Sequence, residues 1–273
     1  MPRSETALAT IGSGKSLADL LHAWKPSIAQ LMENEARAGQ LLQMAIAVVR
    51  RKPDLAECTA TSFRAALEDA AVLGLLPTGL MNLGHIVAFR NKSGSKDATF
   101  IAGYRGLVDI VYRSKKVAGL DVGLVHVDDG WRYLRGLATV LEHDPRFTDV
   151  FTYDKRTELQ CGYVTWWDVI DGAKVAQRHV VLNFEQLERI RRKSKKADDG
   201  PWHDDYEPMV YKALIRFATK TMALTPETDA LLDRAFSAED AKIGLKDPVI
   251  DVDVAIPPDG RAPTKVEEPF PES

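Results

Sequence analysis

Cysteine is nearly absent from this 273-residue chain, with Cys58 and Cys161 the only two. Two thiols can build neither a disulfide framework nor a four-cysteine zinc site, and a reducing cytoplasm is the compartment that fits. Long apolar runs are missing as well. Ala45-Ile46-Ala47-Val48-Val49 falls far short of the roughly 18 apolar residues a membrane helix needs. The leading Met1-Pro2-Arg3-Ser4-Glu5 carries an acid with no apolar segment behind it, so no signal peptide is expected. Strong net charge is lacking too. The 36 basic and 39 acidic residues leave −3, which on its face disfavours a nucleic-acid partner. The distribution argues otherwise. Residues 237–273 hold nine acids and four bases, so the first 236 carry 32 bases against 30 acids. A mildly basic body precedes an acidic tail. Hydrophobic residues at 45% and charged residues at 27% are ordinary for a globular protein. At ~150 residues per domain the length allows one or two domains.

The small, polar residues 1–15 read as a flexible leader. Ser16 to Met32 has helical periodicity, with a break expected at Pro26. Ala38 to Arg51 is a second helix, and a third runs from Thr61 or Ser62 to Leu73 with Gly74 as its stop. Gly84–Arg90 and Ala98–Gly103 flank the polar, cationic stretch Asn91–Asp97 as a hairpin. Tyr104 to Lys115 is an amphipathic helix, and Val117 to Val127 a strand. Residues 131–159 are mixed, with short strands near Ala138–Glu142 and Thr152. Cys161–Val169 and Val175–Leu182 form a second hairpin around Asp171-Gly172. Asn183 caps the next helix, with Gln186 as its capping-box partner. Residues 197–208 read as a loop, Met209 to Ala223 as a helix, and a last helix runs from Thr225 to about Phe236. Six of the 14 prolines fall in the final 37 residues, which read as a disordered acidic tail. Strands do not alternate with helices, so the expected class is α+β with an antiparallel sheet. The expected division is a leader (1–15), one domain (16–236) with a helical part (16–74) and an α+β core (84–236), and the tail (237–273).

Two motifs suggest enzymatic chemistry. Ala9-Thr10-Ile11-Gly12-Ser13-Gly14-Lys15-Ser16 approximates a phosphate-binding loop. Its first glycine is Ala9, and Ser4-Glu5-Thr6-Ala7-Leu8 is a poor buried strand to lead into it, so a flexible leader is the simpler reading. His143-Asp144 and His203-Asp204 could serve a metal-dependent nuclease, yet neither pair has the i, i+4 spacing of a helical metal site. The cationic features carry more information. Six of the eight residues from Arg189 to Lys196 are basic, more than a helix dipole needs. Arg113, Lys115 and Lys116 form a second cluster, preceded by Tyr104, Arg105 and Tyr112. Lys212, Arg216 and Lys220 recur every four residues, a stripe along one helix that either meets phosphates or pairs with acids. Trp202, Tyr206 and Tyr211 lie nearby in sequence. Cations interleaved with aromatics suit a single nucleic-acid strand, whose phosphates need charge and whose bases need stacking surfaces.

Several runs together resemble the RecT family of phage single-strand annealing proteins. They are Glu57-Cys58-Thr59-Ala60-Thr61-Ser62-Phe63 with Ala70-Ala71-Val72-Leu73-Gly74-Leu75, and Gly103-Tyr104-Arg105-Gly106-Leu107 followed by Tyr112-Arg113-Ser114. His143-Asp144-Pro145 follows, and then Trp202 with Asp205, Met209, Lys212, Ile215-Arg216 and Lys220. Arg105 stands in place of a lysine, Ala213 in place of a threonine, and Thr221–Thr225 in place of a Leu-Pro segment. The resemblance spans about residues 38–236. It implies a β-β-β-α core flanked by N- and C-terminal helices, ATP-independent binding and annealing of single-stranded DNA, and a ring or helical filament. It implies no catalytic residue, no required cofactor, and Mg²⁺ as a modulator at most. Expected partners are single-stranded DNA, the annealed duplex intermediate, further copies of the chain, a phage exonuclease and a host single-strand binding protein, in the bacterial cytoplasm. On this reading Arg105, Arg113, Lys115, Lys116, Arg191, Arg192, Lys193, Lys212, Arg216 and Lys220 contact the DNA backbone, and Trp202 and Tyr104 stack on bases or shape the groove. The alternatives are the metal-dependent nuclease and a passive strand-coating protein.

Overall fold

A computed structural model describes residues 16–78, 81–91, 94–136, 139–146, 158–194, 197–198 and 200–243. The leader with its loop-like Gly12–Ser16 run, the Thr152 strand and the tail beyond residue 243 lie outside them or at their edge. Three helices open the chain: α1 (Leu17–Met32), α2 (Glu35–Arg51) and α3 (Ala60–Leu73). Each begins at a side-chain cap, since Ser16, Asn34 and Thr59 accept hydrogen bonds from Asp19, Arg37 and Ser62 backbone N–H, donors that would otherwise have no partner. The break expected at Pro26 does not occur. Pro26 lies inside continuous α1, on its exposed side. The hydrogen bond it forfeits would have gone to His22, also exposed, so water can serve that carbonyl. Leu17, Leu21, Trp24 and Ile28 bury the opposite face.

The strands follow as β1 (Gly84–Arg90) and β2 (Lys96–Ala102), then α4 (Tyr104–Arg113), β3 (Val117–His126), β4 (Gly130–Leu134), β5 (Val140–Asp144), β6 (Leu159–Ile170) and β7 (Ala173–Asn183). All pair antiparallel: β1 with β2, β4 with β5, and β3-β6-β7 as a three-stranded sheet. The fold is α+β. Helix α5 (Phe184–Lys193) leaves β7 through the capping box of Asn183 and Gln186, so β3, β6, β7 and α5 form a β-β-β-α unit with the β4–β5 hairpin inserted. β6 alternates, with Val164 and Trp166 buried inward and Tyr163, Thr165 and Trp167 on the other face.

The loop expected over 197–208 contains a one-turn helix, α6 (Pro201–Asp204), before α7 (Tyr206–Thr219). Helix α7 crosses the inner face of the sheet and also packs on α4, burying Val210, Leu214, Ile215 and Ala218. The last helix, α8 (Pro226–Ile243), runs a further two turns past Phe236 and packs on β2, α3 and α4. Residues that composition assigned to the tail thus belong to the fold. Glu239 is 3% exposed, and its burial opposite a lysine explains the extension. No helix among the described residues is long and apolar enough to cross a membrane.

Candidate nucleic-acid interface

The Gly103-Tyr104-Arg105-Gly106 run starts α4, and its glycines are there for close approach. A Cβ on Gly103 would sit 2.0 Å from the Asn82 carbonyl oxygen, and one on Gly106 would sit 2.0 Å from that of Leu83. In exchange, Gly103 N–H donates to Leu83 at 3.0 Å and Gly106 N–H to Asn82 at 3.3 Å. Tyr104 is half-buried, edge-on to Tyr211 at 5.5 Å. Arg105 points to solvent. At the far end of α4, Arg113 turns back to the C-terminus of α3. It donates to the carbonyls of Leu73 at 2.6 Å and Gly74 at 3.3 Å and pairs with Asp109. A cation at that helix end satisfies orphan carbonyls and the dipole together. Buried Ser114 closes the turn, donating to Val111 and accepting from Lys116 N–H. Lys115, at φ 54°, and Lys116 are left exposed, and neither has an ion-pair partner among the described residues.

Helix α5 divides its cations in the same way. Arg191 binds both carboxylate oxygens of buried Glu188 at 3.0 Å and Asp198 at 2.8 Å. Hydrogen bonding to Asp198, then Glu188, holds its guanidinium above its ordinary pKa. Glu188 also receives the Tyr206 hydroxyl at 3.3 Å, and burial, then Glu188, pushes that phenol up to about 12. Arg192 and Lys193 are exposed, without a described ion-pair partner.

The α7 stripe is a set of bolts rather than a cationic face. Lys212 is 8% exposed and lies 2.7 Å from both carboxylate oxygens of Glu239. Arg216 makes a two-pronged pair with Asp240, one bond at 2.7 Å, and its guanidinium stacks 4.6 Å from the Phe236 ring centre. Arg234–Asp69 and Lys242–Asp97 extend the fastening of α8. Lys220 is exposed at the C-terminus of α7. Trp202 is 4% exposed and edge-on to Tyr206 at 6.0 Å, so no base can reach its face without unpacking α6. Of the twelve residues expected to touch DNA, Arg105, Lys115, Lys116, Arg192 and Lys193 remain accessible and without a described ion pair. Arg113, Arg191, Lys212, Arg216 and Trp202 are committed to the fold.

The aromatics that sequence reasoning missed lie on the outer face of the three-stranded sheet. Tyr163 from β6, Trp131 and Tyr133 from β4 form a row of near-parallel rings, at 5.6 and 6.1 Å between centres and 17° and 21° between planes. Alternation of Trp131 and Tyr133, and of Tyr163 and Trp167, was the available signal. His143 fixes the row. Its Nε2 faces the Asp129 carboxylate at 3.2 Å and its Nδ1 the Tyr163 hydroxyl at 3.1 Å. A carboxylate only accepts, so Nε2 donates to Asp129, and the Tyr163 hydroxyl partners the other nitrogen. Both ring nitrogens of His143 are thus engaged within the protein. His203 pairs with Asp204 on the surface at 3.0 Å. No group of three or more His, Cys, Asp or Glu among the described residues could hold a metal. Burial pushes both thiols up to about 11 (with Asp54 adding to the shift at Cys58), which makes them poor nucleophiles.

A family model described as the RecT family matches residues 39–250. The chain is also similar to Protein RecT of Escherichia coli (strain K12), at 28% identity over 228 residues, covering 82% of this chain and 79% of that protein.

Proposed function

Because the chain belongs to the RecT family of DNA recombination and strand-annealing proteins, we propose that it binds single-stranded DNA and pairs complementary strands without ATP, as a ring or filament of many copies. Pairing two strands is downhill, and the barrier is kinetic: backbones repel and bases stack or pair within each strand. Cations laid along the phosphates lower the first obstacle, and an extended, outward-facing strand lowers the second. Head-to-tail contacts between copies would continue one groove along the polymer. The observation that carries this reading is the split among the cations. Arg105, Lys115, Lys116, Arg192 and Lys193 are the phosphate contacts proposed, and Lys220 joins them from the exposed end of α7. Arg113, Arg191, Lys212 and Arg216 build the surface that presents them. No cofactor is required on this reading, with Mg²⁺ tuning assembly at most. A phage exonuclease and a host single-strand binding protein are the partners it would work beside.

The test is annealing of two complementary labelled oligonucleotides by purified protein, without ATP and with Mg²⁺ present or chelated. Faster pairing of intact strands is the expected result. Binding without acceleration would reduce the protein to a strand-coating module, and shortened strands in Mg²⁺ would make it a nuclease.

A further inference from the structure

Phosphate contacts alone hold a strand but leave its bases unplaced. Trp202 is buried and cannot supply a ring face, and Tyr104 stands as a single half-buried ring, edge-on to Tyr211. The outer face of the β3-β6-β7 sheet carries what they lack. Tyr163 leans across Gly123, where a Cβ would fall 2.1 Å from its ring. Trp131 stacks on Tyr163 and Tyr133 on Trp131. Tyr133 is half-buried at the outer end of the row, edge-on to His179 at 5.6 Å. Two residues on, Arg135 is exposed and has no described ion-pair partner, and its charge reaches both Tyr133 and His179. Further along the sheet, Lys174 sits 5.9 Å over the ring of half-buried Trp167. Arg178, paired across the strands with inward-facing Trp166, lies on the opposite face with its partner Asp168, and Arg132 pairs with Glu142 on the side of β4 away from Trp131 and Tyr133. Asp121 hydrogen-bonds Val122 N–H.

We propose that this face, with Tyr133 as its principal platform, is a nucleobase-stacking site for single-stranded DNA. The proposal rests on the strand-binding reading above and adds where the bases go. Three properties support it. The rings lie near-parallel, as successive bases do. They are held in advance by His143, which ties β5 to Asp129 and to Tyr163, so little ordering cost falls on binding. Cations stand beside the rings, Arg135 by Tyr133 and Lys174 by Trp167, which is the interleaving a strand needs. The site reads no sequence, because every base has a π-face.

The test compares wild type, Tyr133→Leu and Tyr133→Phe for binding to a fluorescent oligo-dT and to an abasic oligonucleotide of equal length. Leucine keeps apolar bulk in β4 and removes the ring, and phenylalanine keeps the ring. Stacking on one aromatic is worth about 1–3 kcal/mol, so Tyr133→Leu is expected to weaken oligo-dT binding roughly 5- to 150-fold. It should leave abasic binding and the salt slope as in wild type, and Tyr133→Phe should restore oligo-dT affinity. Equal loss on both oligonucleotides, or no loss on either, overturns the stacking site while leaving strand binding intact. Failure of the wild type to bind oligo-dT at all overturns the strand-binding reading, and this one with it.

Discussion

Neutralising Glu239 should cost the protein a large share of its stability. The Glu239→Gln variant leaves the Lys212 ammonium at 8% exposure facing an amide in place of a carboxylate 2.7 Å away. Removing one member of a buried ion pair typically costs about 3–5 kcal/mol, because the survivor stays buried and uncompensated. At ~2–4 °C per kcal/mol for a domain of this size, the thermal midpoint should fall by roughly 6–20 °C. Lys212→Met should do comparable damage by stranding Glu239. The double variant Lys212→Met/Glu239→Leu should recover most of it, since apolar replacement of a whole buried pair is often close to neutral. The assay is thermal unfolding followed by circular dichroism, run beside single-strand binding on the same samples. On this account the folded double variant binds DNA like wild type. The reasoning is refuted if Glu239→Gln melts like wild type, or if the double variant is stable yet binds DNA tenfold more weakly.

Gly103→Ala should destabilise sharply and cost DNA binding only through lost folding, because its Cβ would collide with the Asn82 carbonyl; chemical denaturation of the purified variant checks it. Arg113→Ala should lower stability by about 1–3 kcal/mol, from the Leu73 carbonyl that loses its side-chain donor while Gly74 keeps that of Arg37, and leave the salt slope of binding unchanged. Burial, then neighbouring cations, depresses the pKa of His85 and of His179. Their unfolded forms gain protons below pH ~6.5 while the folded forms resist. Stability should therefore fall as pH drops from 7 toward 5 and level off below the folded values, and denaturation midpoints across that range would show it. Cys58 and Cys161, buried and with raised pKa values, should react with a thiol reagent at pH 8 only after denaturant is added.

Most elements could be read from residue pattern because local chemistry sets them. The Asn183–Gln186 capping box and the hairpin around Asp171-Gly172 both appear in the structure where the sequence places them. Pro26 misled because the penalty of a helical proline depends on whether its lost acceptor is wet, which no pattern shows. The β4 strand was missed because it is five residues long and held to the sheet by rings from β6. Tail acidity concealed Glu239 and Asp240, whose partners lie 27 and 24 residues back on α7. The same blindness shaped the candidate site. A run of cations looks the same whether its charges face water or bury against acids, so Lys212 and Arg216 read as DNA contacts. Most of the residues that carry the family resemblance turn out to serve the fold, exposed Arg105 and Lys220 apart. Gly103 and Gly106 seat α4, Arg113 caps α3, His143 pins the inserted hairpin, and Trp202, Lys212 and Arg216 lock the C-terminal helices.

The most direct test of that division is the salt dependence of single-strand binding by a variant with Arg105, Lys115, Lys116, Arg192 and Lys193 all changed to alanine. Each phosphate contact on a single strand contributes about 0.7 to the slope of log K against log salt. If all five touch phosphate, the slope should fall by about 3.5, with the thermal midpoint close to wild type. A wild-type slope in a folded variant would contradict the account and send the phosphate contacts elsewhere on the surface.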